Sequence, residues 1–117
     1  MGRIPMSSDA RFIERLLAAA PALRPVFEEH RHDNGELLPH VFMGAVTRFV
    51  LGNYEVFSPV GLLDFLEGVL ASGDPHAAEL IALGFCENLQ GEDKAVRALL
   101  PMMGARLSAA TRVRVSA

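Results

Sequence analysis

Asp64 and Glu67 are two carboxylates three residues apart, a type and spacing that could do chemistry. Residues three apart share one face of a helix, and the small residues Gly68 and Ala71 beside them would leave both carboxylates uncovered. Such a pair can serve as general acid and base, hold a divalent cation, or offer an acidic face to a basic partner protein. The solvent-facing stripe of an ordinary amphipathic helix gives the same spacing, and we favour that interpretation.

A second polar pair, Glu87 and Asn88, continues an apolar helical stripe. That stripe consists of Leu80, Ile81, Gly84 and Phe85. Its continuation places Asn88 inside and Glu87 at its margin, where polar groups need hydrogen-bond partners. The two side chains either bond the end of a neighbouring helix, which we favour, or line a groove that receives a ligand. The same stripe puts Cys86 on the less apolar side of its helix, as an inert thiol.

Other reactive side chains lack the spacing of known sites. His30, His32 and Asp33 are of metal-binding types, but two histidines two apart on a helix point about 200° away from each other and chelate together only if the segment unwinds. With one cysteine, the chain holds no internal disulfide and no cysteine-based metal cluster. Gly-x-Ser-x-Gly, Gly-x-x-x-x-Gly-Lys and Gly-x-Gly-x-x-Gly are all absent. We therefore expect no enzyme activity, no metal and no cofactor.

Charge is strongly segregated along the sequence. Residues 49–93 contain eight carboxylates and no Lys or Arg, whereas residues 94–117 contain five basic side chains and no acid. The eight are Glu55, Asp64, Glu67, Asp74, Glu79, Glu87, Glu92 and Asp93. Such a field bears on partners and on encounter rates rather than on fold. It favours a basic protein partner and disfavours nucleic acid, although the C-terminal arginines could instead fold back on the acidic stretch of the same or a neighbouring molecule.

Three of these eight carboxylates are explained by their positions at predicted helix starts, which leaves a smaller candidate face for binding. Asp74, Glu92 and Asp93 are explained by the preference of carboxylates for the positive end of the helix dipole. The candidate partner-binding residues are therefore Asp64, Glu67, Glu79, Glu87 and Asn88.

Helical periodicity predicts an all-α protein, a compact bundle of five or six short helices in antiparallel pairs. The predicted helices cover about residues 7–20, 22–32, 36–51, 59–71, 75–90 and 92–104. Ser7 or Ser8, Ser58 and Asp74 are the predicted N-caps, and Gly73 is a predicted stop. The Ser-Gly-Asp-Pro junction at 72–75 is similar to the inter-helix turns of HEAT-like solenoids, but one pair of helices does not establish a repeat.

The domain division derives from the same pattern. We expect residues 1–105 to form one helical domain and residues 106–117 a basic tail, frayed or disordered; its alternation over 111–115 is compatible with a strand but has no partner strand. No apolar run approaches the roughly 20 residues of a membrane span, and the start of the chain lacks the apolar region of a secretory signal. We expect a cytoplasmic protein that does not bind membranes.

Several stretches carry a resemblance. They are Glu36 to Gly44, Leu-Leu-Asp-Phe-Leu-Glu at 62–67, Ala71 to Asp74, Glu79 to Ala82, and Phe-Cys-Glu-Asn-Leu at 85–89. Together they resemble a small, all-helical, largely uncharacterised bacterial family, some of whose members are similar to immunity proteins of polymorphic-toxin systems. The resemblance covers about residues 36–90 and implies stoichiometric binding and neutralisation of a secreted toxin domain, without catalysis.

The charge pattern and the resemblance support two functional hypotheses. Nuclease toxins need basic surfaces, so an inhibitor with an acidic helical face would gain fast and specific capture of a basic toxin domain. The alternative is a small HEAT-like scaffold or regulatory adaptor, whose working surface is a groove near Glu87 and Asn88.

Overall fold

The computed structural model describes residues 7–115, and within that range the chain forms seven α-helices and no strand. The helices are α1 (Ser8–Ala19), α2 (Arg24–Asn34), α3 (Pro39–Asn53), α4 (Val60–Ser72), α5 (Pro75–Ile81), α6 (Asp93–Leu99) and α7 (Ala105–Val115). The all-α prediction is confirmed, but the helices number seven rather than five or six. The radius of gyration of 14.0 Å is near the roughly 13 Å of a compact domain of this size.

Short helical turns extend or connect these elements. A 3-10 turn at Pro21–Leu23 precedes α2, and another at Leu100–Met102 follows α6. After α5 the chain continues through a π-helical turn over Ala82–Cys86 and a 3-10 turn over Glu87–Leu89. The predicted helix to residue 90 is therefore one continuous path whose hydrogen-bond pattern changes twice.

The core lies between α1, α3, α4 and α5, together with the π-helical turn that follows α5. Its largest fully buried side chains include Phe42, Met43, Leu63, Leu66, Ile81 and Phe85. Gly84 lies so close to α3 that an added Cβ would be 2.5 Å from the Cβ of Met43, a separation that side chains essentially never adopt. Glycine is thus required for α3 to pack against the π-helical turn.

The predicted local start and stop signals are mostly confirmed. The Ser7 hydroxyl accepts a hydrogen bond from the backbone N–H of Ala10 at 3.1 Å, and Asp74 Oδ1 accepts from the N–H groups of His76 and Ala77 at 3.0 and 3.3 Å. Gly73 ends α4 with φ +81°. Ser58 was wrong as an N-cap, because α4 begins one residue later than predicted and the N-cap position is Pro59.

The seventh helix occupies the segment predicted to be a frayed tail. Leu107 and Thr111, one turn apart, are fully buried, and α7 packs against α4 and the 82–89 segment. The prediction of a frayed or disordered tail is therefore wrong for residues 106–115. Residues 116–117, and the predicted absence of a signal at 1–6, lie outside the described residues. Between residues 7 and 115, no helix combines the length and the apolar character needed to cross a bilayer.

Candidate functional site

Glu67, one of the predicted binding residues, caps the N-terminus of α7. The backbone N–H of Leu107 donates to its Oε1 at 2.8 Å, and the N–H of Arg106 donates to its Oε2 at 3.3 Å. The Arg106 guanidinium also lies 3.6 Å from Oε2. The hydrogen bond from Leu107 is the largest cause of a lowered Glu67 carboxyl pKa, with the Arg106 contacts acting in the same direction. Orphan N–H groups of a helix are thus satisfied by an acid 40 residues away in sequence.

The approach of Glu67 to α7 depends on Gly104. A Cβ added at Gly104 would collide with the end of the Glu67 side chain. Because glycine leaves this space open, the carboxylate reaches the first N–H groups of the helix. Glu67 is therefore held as part of the fold, and it does not form a free acidic pair with Asp64.

Asp64 and Glu79 remain as exposed carboxylates. Asp64 lies on the outward side of α4 and Glu79 on the outward side of α5. Neither forms a hydrogen bond or ion pair with any described residue. No hydrogen bond or ion pair between described residues joins them to each other or to Glu67, Glu87 and Asn88.

Glu87 and Asn88 are both exposed, whereas Asn88 was predicted to lie inside. The π-helical turn explains the difference, since it inserts an extra residue and rotates the next part of the helix by about 100°. Cys86 and Leu89 take the interior positions instead and are fully buried. The expectation that Cys86 faces the polar side is therefore wrong, and burial raises the pKa of its thiol.

The partners of Glu87 and Asn88 are within the chain. Asn88 Nδ2 donates to the carbonyl oxygen of Gly84 at 2.8 Å, and the Thr47 hydroxyl donates to the same oxygen at 3.2 Å. Glu87 Oε2 lies 3.6 Å from the Arg114 guanidinium. The favoured interpretation, a bond from Asn88 to the end of a neighbouring helix, is wrong, because its acceptor Gly84 lies four residues earlier in the same segment.

The carboxylates of the acidic stretch that form ion pairs with described residues pair with the basic C-terminal segment. Glu55 lies 3.8 Å from Lys94, and the pairs of Glu67 with Arg106 and of Glu87 with Arg114 complete the set between described residues. The chain thus folds its C-terminal cations back onto its own acidic stretch, one of the alternatives that the sequence left open.

His30 is a structural residue that the sequence analysis did not recognise. Its Nε2 accepts the backbone N–H of Leu38 at 3.0 Å, and its ring packs on Phe42 with centroids 5.5 Å apart. Burial, and secondarily the charge of Arg31, lowers the pKa of His30. The sequence does contain a signal for the burial of His30, because Leu23, Phe27 and His30 recur at the spacing of one helical face.

His76 also makes a contact that no local pattern indicates. Its Nε2 lies 2.6 Å from Oδ1 of Asp9, which joins the start of α5 to the start of α1. No group of three His, Cys, Asp or Glu side chains within residues 7–115 has an arrangement that could hold a metal ion. His30 and His32 are on one intact helix, with His30 buried and His32 exposed.

Three surface cavities are further candidate sites. A groove of about 380 Å³ lies between α2 and α3, with an apolar floor and the carboxylates of Glu29 and Asp33 on one wall. A cavity of about 250 Å³ between α1, α4 and α5 contains the Asp9 and His76 pair. A third, of about 260 Å³, lies beside the turn between α2 and α3. None of the three is lined by a predicted binding residue.

Comparison with known proteins gives one match. A family model described as a domain of unknown function, DUF7674, matches residues 13–113. The matched range includes most of α7 as well as the core helices. No curated protein and no solved structure matches the chain.

Proposed function

The chain belongs to the DUF7674 family, whose description assigns no activity, and we propose that it is a protein-binding module that acts without catalysis on a basic partner. In its finer form, the proposal is an immunity or inhibitor protein that neutralises a basic toxin domain. The observation that carries it is the weak internal engagement of most surface carboxylates in the acidic stretch.

These carboxylates interact weakly with the rest of the chain because they are exposed to solvent. Asp64 and Glu79 have no ion pair with a described residue, and the pairs of Glu55 and Glu87 are solvent-exposed contacts of 3.8 and 3.6 Å. Exposed ion pairs typically contribute about 0–1 kcal/mol, so a partner's cations can replace these contacts at little cost. Glu67 is excluded from this surface, because it caps α7.

An exposed acidic surface affects association before it affects final affinity. It steers a basic partner toward the encounter and penalises acidic competitors, and it does so less effectively as salt screens the field. These properties suit an inhibitor that must capture its target quickly. They also suit other modules that bind basic proteins, so the target's activity has to come from the complex itself.

The test is purification of the complex from the native host, together with kinetics on the isolated components. The proposal expects an equimolar complex with a protein whose binding domain is basic. Replacing two acids that have no ion pair with a described residue, in Asp64→Lys/Glu79→Lys, should slow association by about tenfold or more at low salt and flatten its salt dependence. The matched control, Glu14→Lys/Glu36→Lys, makes the same charge change at exposed positions outside the acidic stretch.

The outcomes test binding of a basic partner separately from the immunity role. An acidic or neutral partner, or equal association rates for the two double variants, would contradict the electrostatic mechanism. For the finer form, the partner's isolated domain should be toxic when expressed alone and harmless when expressed with this chain. Unchanged toxicity on co-expression would contradict an immunity role.

A small HEAT-like scaffold or regulatory adaptor is the second candidate. The open groove between α2 and α3 favours it, since adaptors use such grooves to hold segments of other proteins. Recovery with several unrelated proteins, each present below equimolar amounts, would support the adaptor over the inhibitor.

A further inference from the structure

We propose that the groove between α2 and α3 docks a basic amphipathic helix of a partner protein, with the cations of that helix against the α2 wall. This inference rests on the proposed protein-binding function and names a docking surface for it. It also moves the docking surface away from Glu87 and Asn88, whose contacts lie within the chain.

The floor of the groove is apolar and open. Val26, Val41, Ala45 and Phe49 line it, and Val41 is 50% exposed. The opening of about 380 Å³ is within the range of pockets that hold specific ligands. An exposed apolar strip between α2 and α3 suits the i, i+3, i+4 and i+7 side chains of a docked helix.

The α2 wall carries two carboxylates that the fold does not use. Glu29 and Asp33 line the groove one helical turn apart, both exposed, and neither has a hydrogen bond or ion pair with a described residue. Like charges four apart destabilise a helix, and Asp33 additionally lies in the last turn of α2, where the dipole disfavours an acid. The cations of a docked partner would relieve both the repulsion between the two acids and the unfavourable position of Asp33.

The charge on the opposite wall determines which edge of the docked helix faces α3. Arg48 of α3 is the cation of this lining, and its guanidinium lies over Gly44, on the side where Asn88 is found. A docked helix with Lys or Arg along one edge therefore places that edge against Glu29 and Asp33 and its neutral or acidic edge against Arg48. Charge complementarity of this kind gives specificity and orientation.

The first test uses a designed 14-residue helical peptide of leucine and lysine with leucines at i, i+3, i+4 and i+7. Binding is monitored by NMR on the full chain. The backbone and methyl signals of Val26, Val41 and Ala45 should shift on addition of the peptide, and affinity should fall as salt rises. A matched peptide with glutamate in place of lysine should bind at least tenfold more weakly.

The variant test exchanges the wall charges. Glu29→Lys/Asp33→Lys should weaken peptide binding by tenfold or more, whereas Glu14→Lys/Glu36→Lys, with the same charge change at exposed positions outside the groove lining, should leave it within twofold. Because all four positions are exposed, both variants should retain the helical content and melting temperature of the parent. Glu29→Gln/Asp33→Asn provides a milder second variant, with a smaller loss expected.

Several results would overturn the inference. They are shifts centred on α4 and α5 instead of the groove, equal affinity for the glutamate peptide, and equal losses in the two charge-exchange variants. Concentration-dependent shifts of the groove signals without peptide, with a dimer in sedimentation, would make a second copy of the chain the occupant. In the native complex, slowing by Asp64→Lys/Glu79→Lys but not by Glu29→Lys/Asp33→Lys would overturn the groove assignment alone and leave the proposed function standing.

Discussion

The α4 and α7 junction and the α2 and α3 groove use the same kind of residue in opposite ways. At the junction, the Glu67 carboxylate accepts two backbone N–H groups and lies beside Arg106. At the groove, Glu29 and Asp33 face solvent beside an apolar floor without a hydrogen bond or ion pair to a described residue. Glu67 therefore has a structural role, whereas Glu29 and Asp33 are available to bind a partner.

The difference shows why charge along the sequence is a poor map of charge on the surface. Glu67 belongs to the acid-only stretch, yet it satisfies the start of a helix whose charged residues are all basic. Glu29 and Asp33 belong to the charge-balanced first part of the chain, yet they are the acids next to the largest of the three cavities. Substitutions at the junction should therefore lower stability, whereas substitutions at the groove should change binding.

The largest expected effect is on the buried side of the junction. Leu107→Ala removes a fully buried side chain from the contact of α7 with the core, and such truncations cost about 2–5 kcal/mol of unfolding free energy. Chemical denaturation should detect this loss. The groove counterpart, Val41→Ala, is half exposed and should stay within about 0.5 kcal/mol of the parent. Similar losses in both variants would contradict the distinction between a packed and an open surface.

The second largest loss of stability is expected when the Glu67 cap of α7 is removed. Glu67→Ala leaves the first N–H groups of α7 without their acceptor and should destabilise the protein by about 1 kcal/mol, in the range of lost helix caps. Glu29→Ala at the groove should be neutral or slightly stabilising, because it relieves the repulsion from Asp33. Amide exchange of residues 106 and 107 is the local readout, and it should accelerate only in the Glu67 variant.

The cap also predicts a pH dependence. The lowered pKa of Glu67 means that the folded protein holds fewer protons than the unfolded chain below the ordinary carboxyl value of 4.5. Its contribution is therefore complete above pH 4.5 and is lost as the pH falls through the folded-state pKa. The difference in stability between the parent and Glu67→Gln should shrink as a denaturation series descends through this window, and a constant difference would contradict the assignment.

His30 gives the smallest effect, in a different window. Its lowered pKa means that the unfolded chain takes up a proton first, so stability is complete above pH 6.5 and falls as the pH drops from there through the folded-state pKa. His30→Gln keeps an acceptor for the Leu38 N–H but removes the titration, so its stability should vary less between pH 7 and pH 5. His32→Gln, at an exposed position, should retain the parent's slope.

The features predicted correctly from sequence are those that local residues determine. Ser7 and Asp74 bond backbone groups two or three residues away, and Gly73 ends its own helix. The apolar periodicity identified the first helices for the same reason. Information within one or two turns was sufficient for these elements.

The features that were missed depend on distant parts of the chain. The acceptor at the start of α7 is Glu67, and the partner of His76 is Asp9, on another helix. The π-helical turn accompanies the close packing of Gly84 on Met43, and it moved Asn88 outward and Cys86 inward. The helical stripe of α7 was hidden, because one of its two buried members is the polar Thr111 and its last residues alternate like a strand.

The most direct test of a basic partner at the groove is amide hydrogen exchange on the complex purified from the native host, compared with the free chain. Docking of a basic helix between α2 and α3 predicts new protection concentrated in residues 26–49, with exchange in α7 unchanged. Protection confined to α4 and α5, or faster exchange in α7 as though a partner had displaced it from Glu67, would contradict the groove as the docking surface.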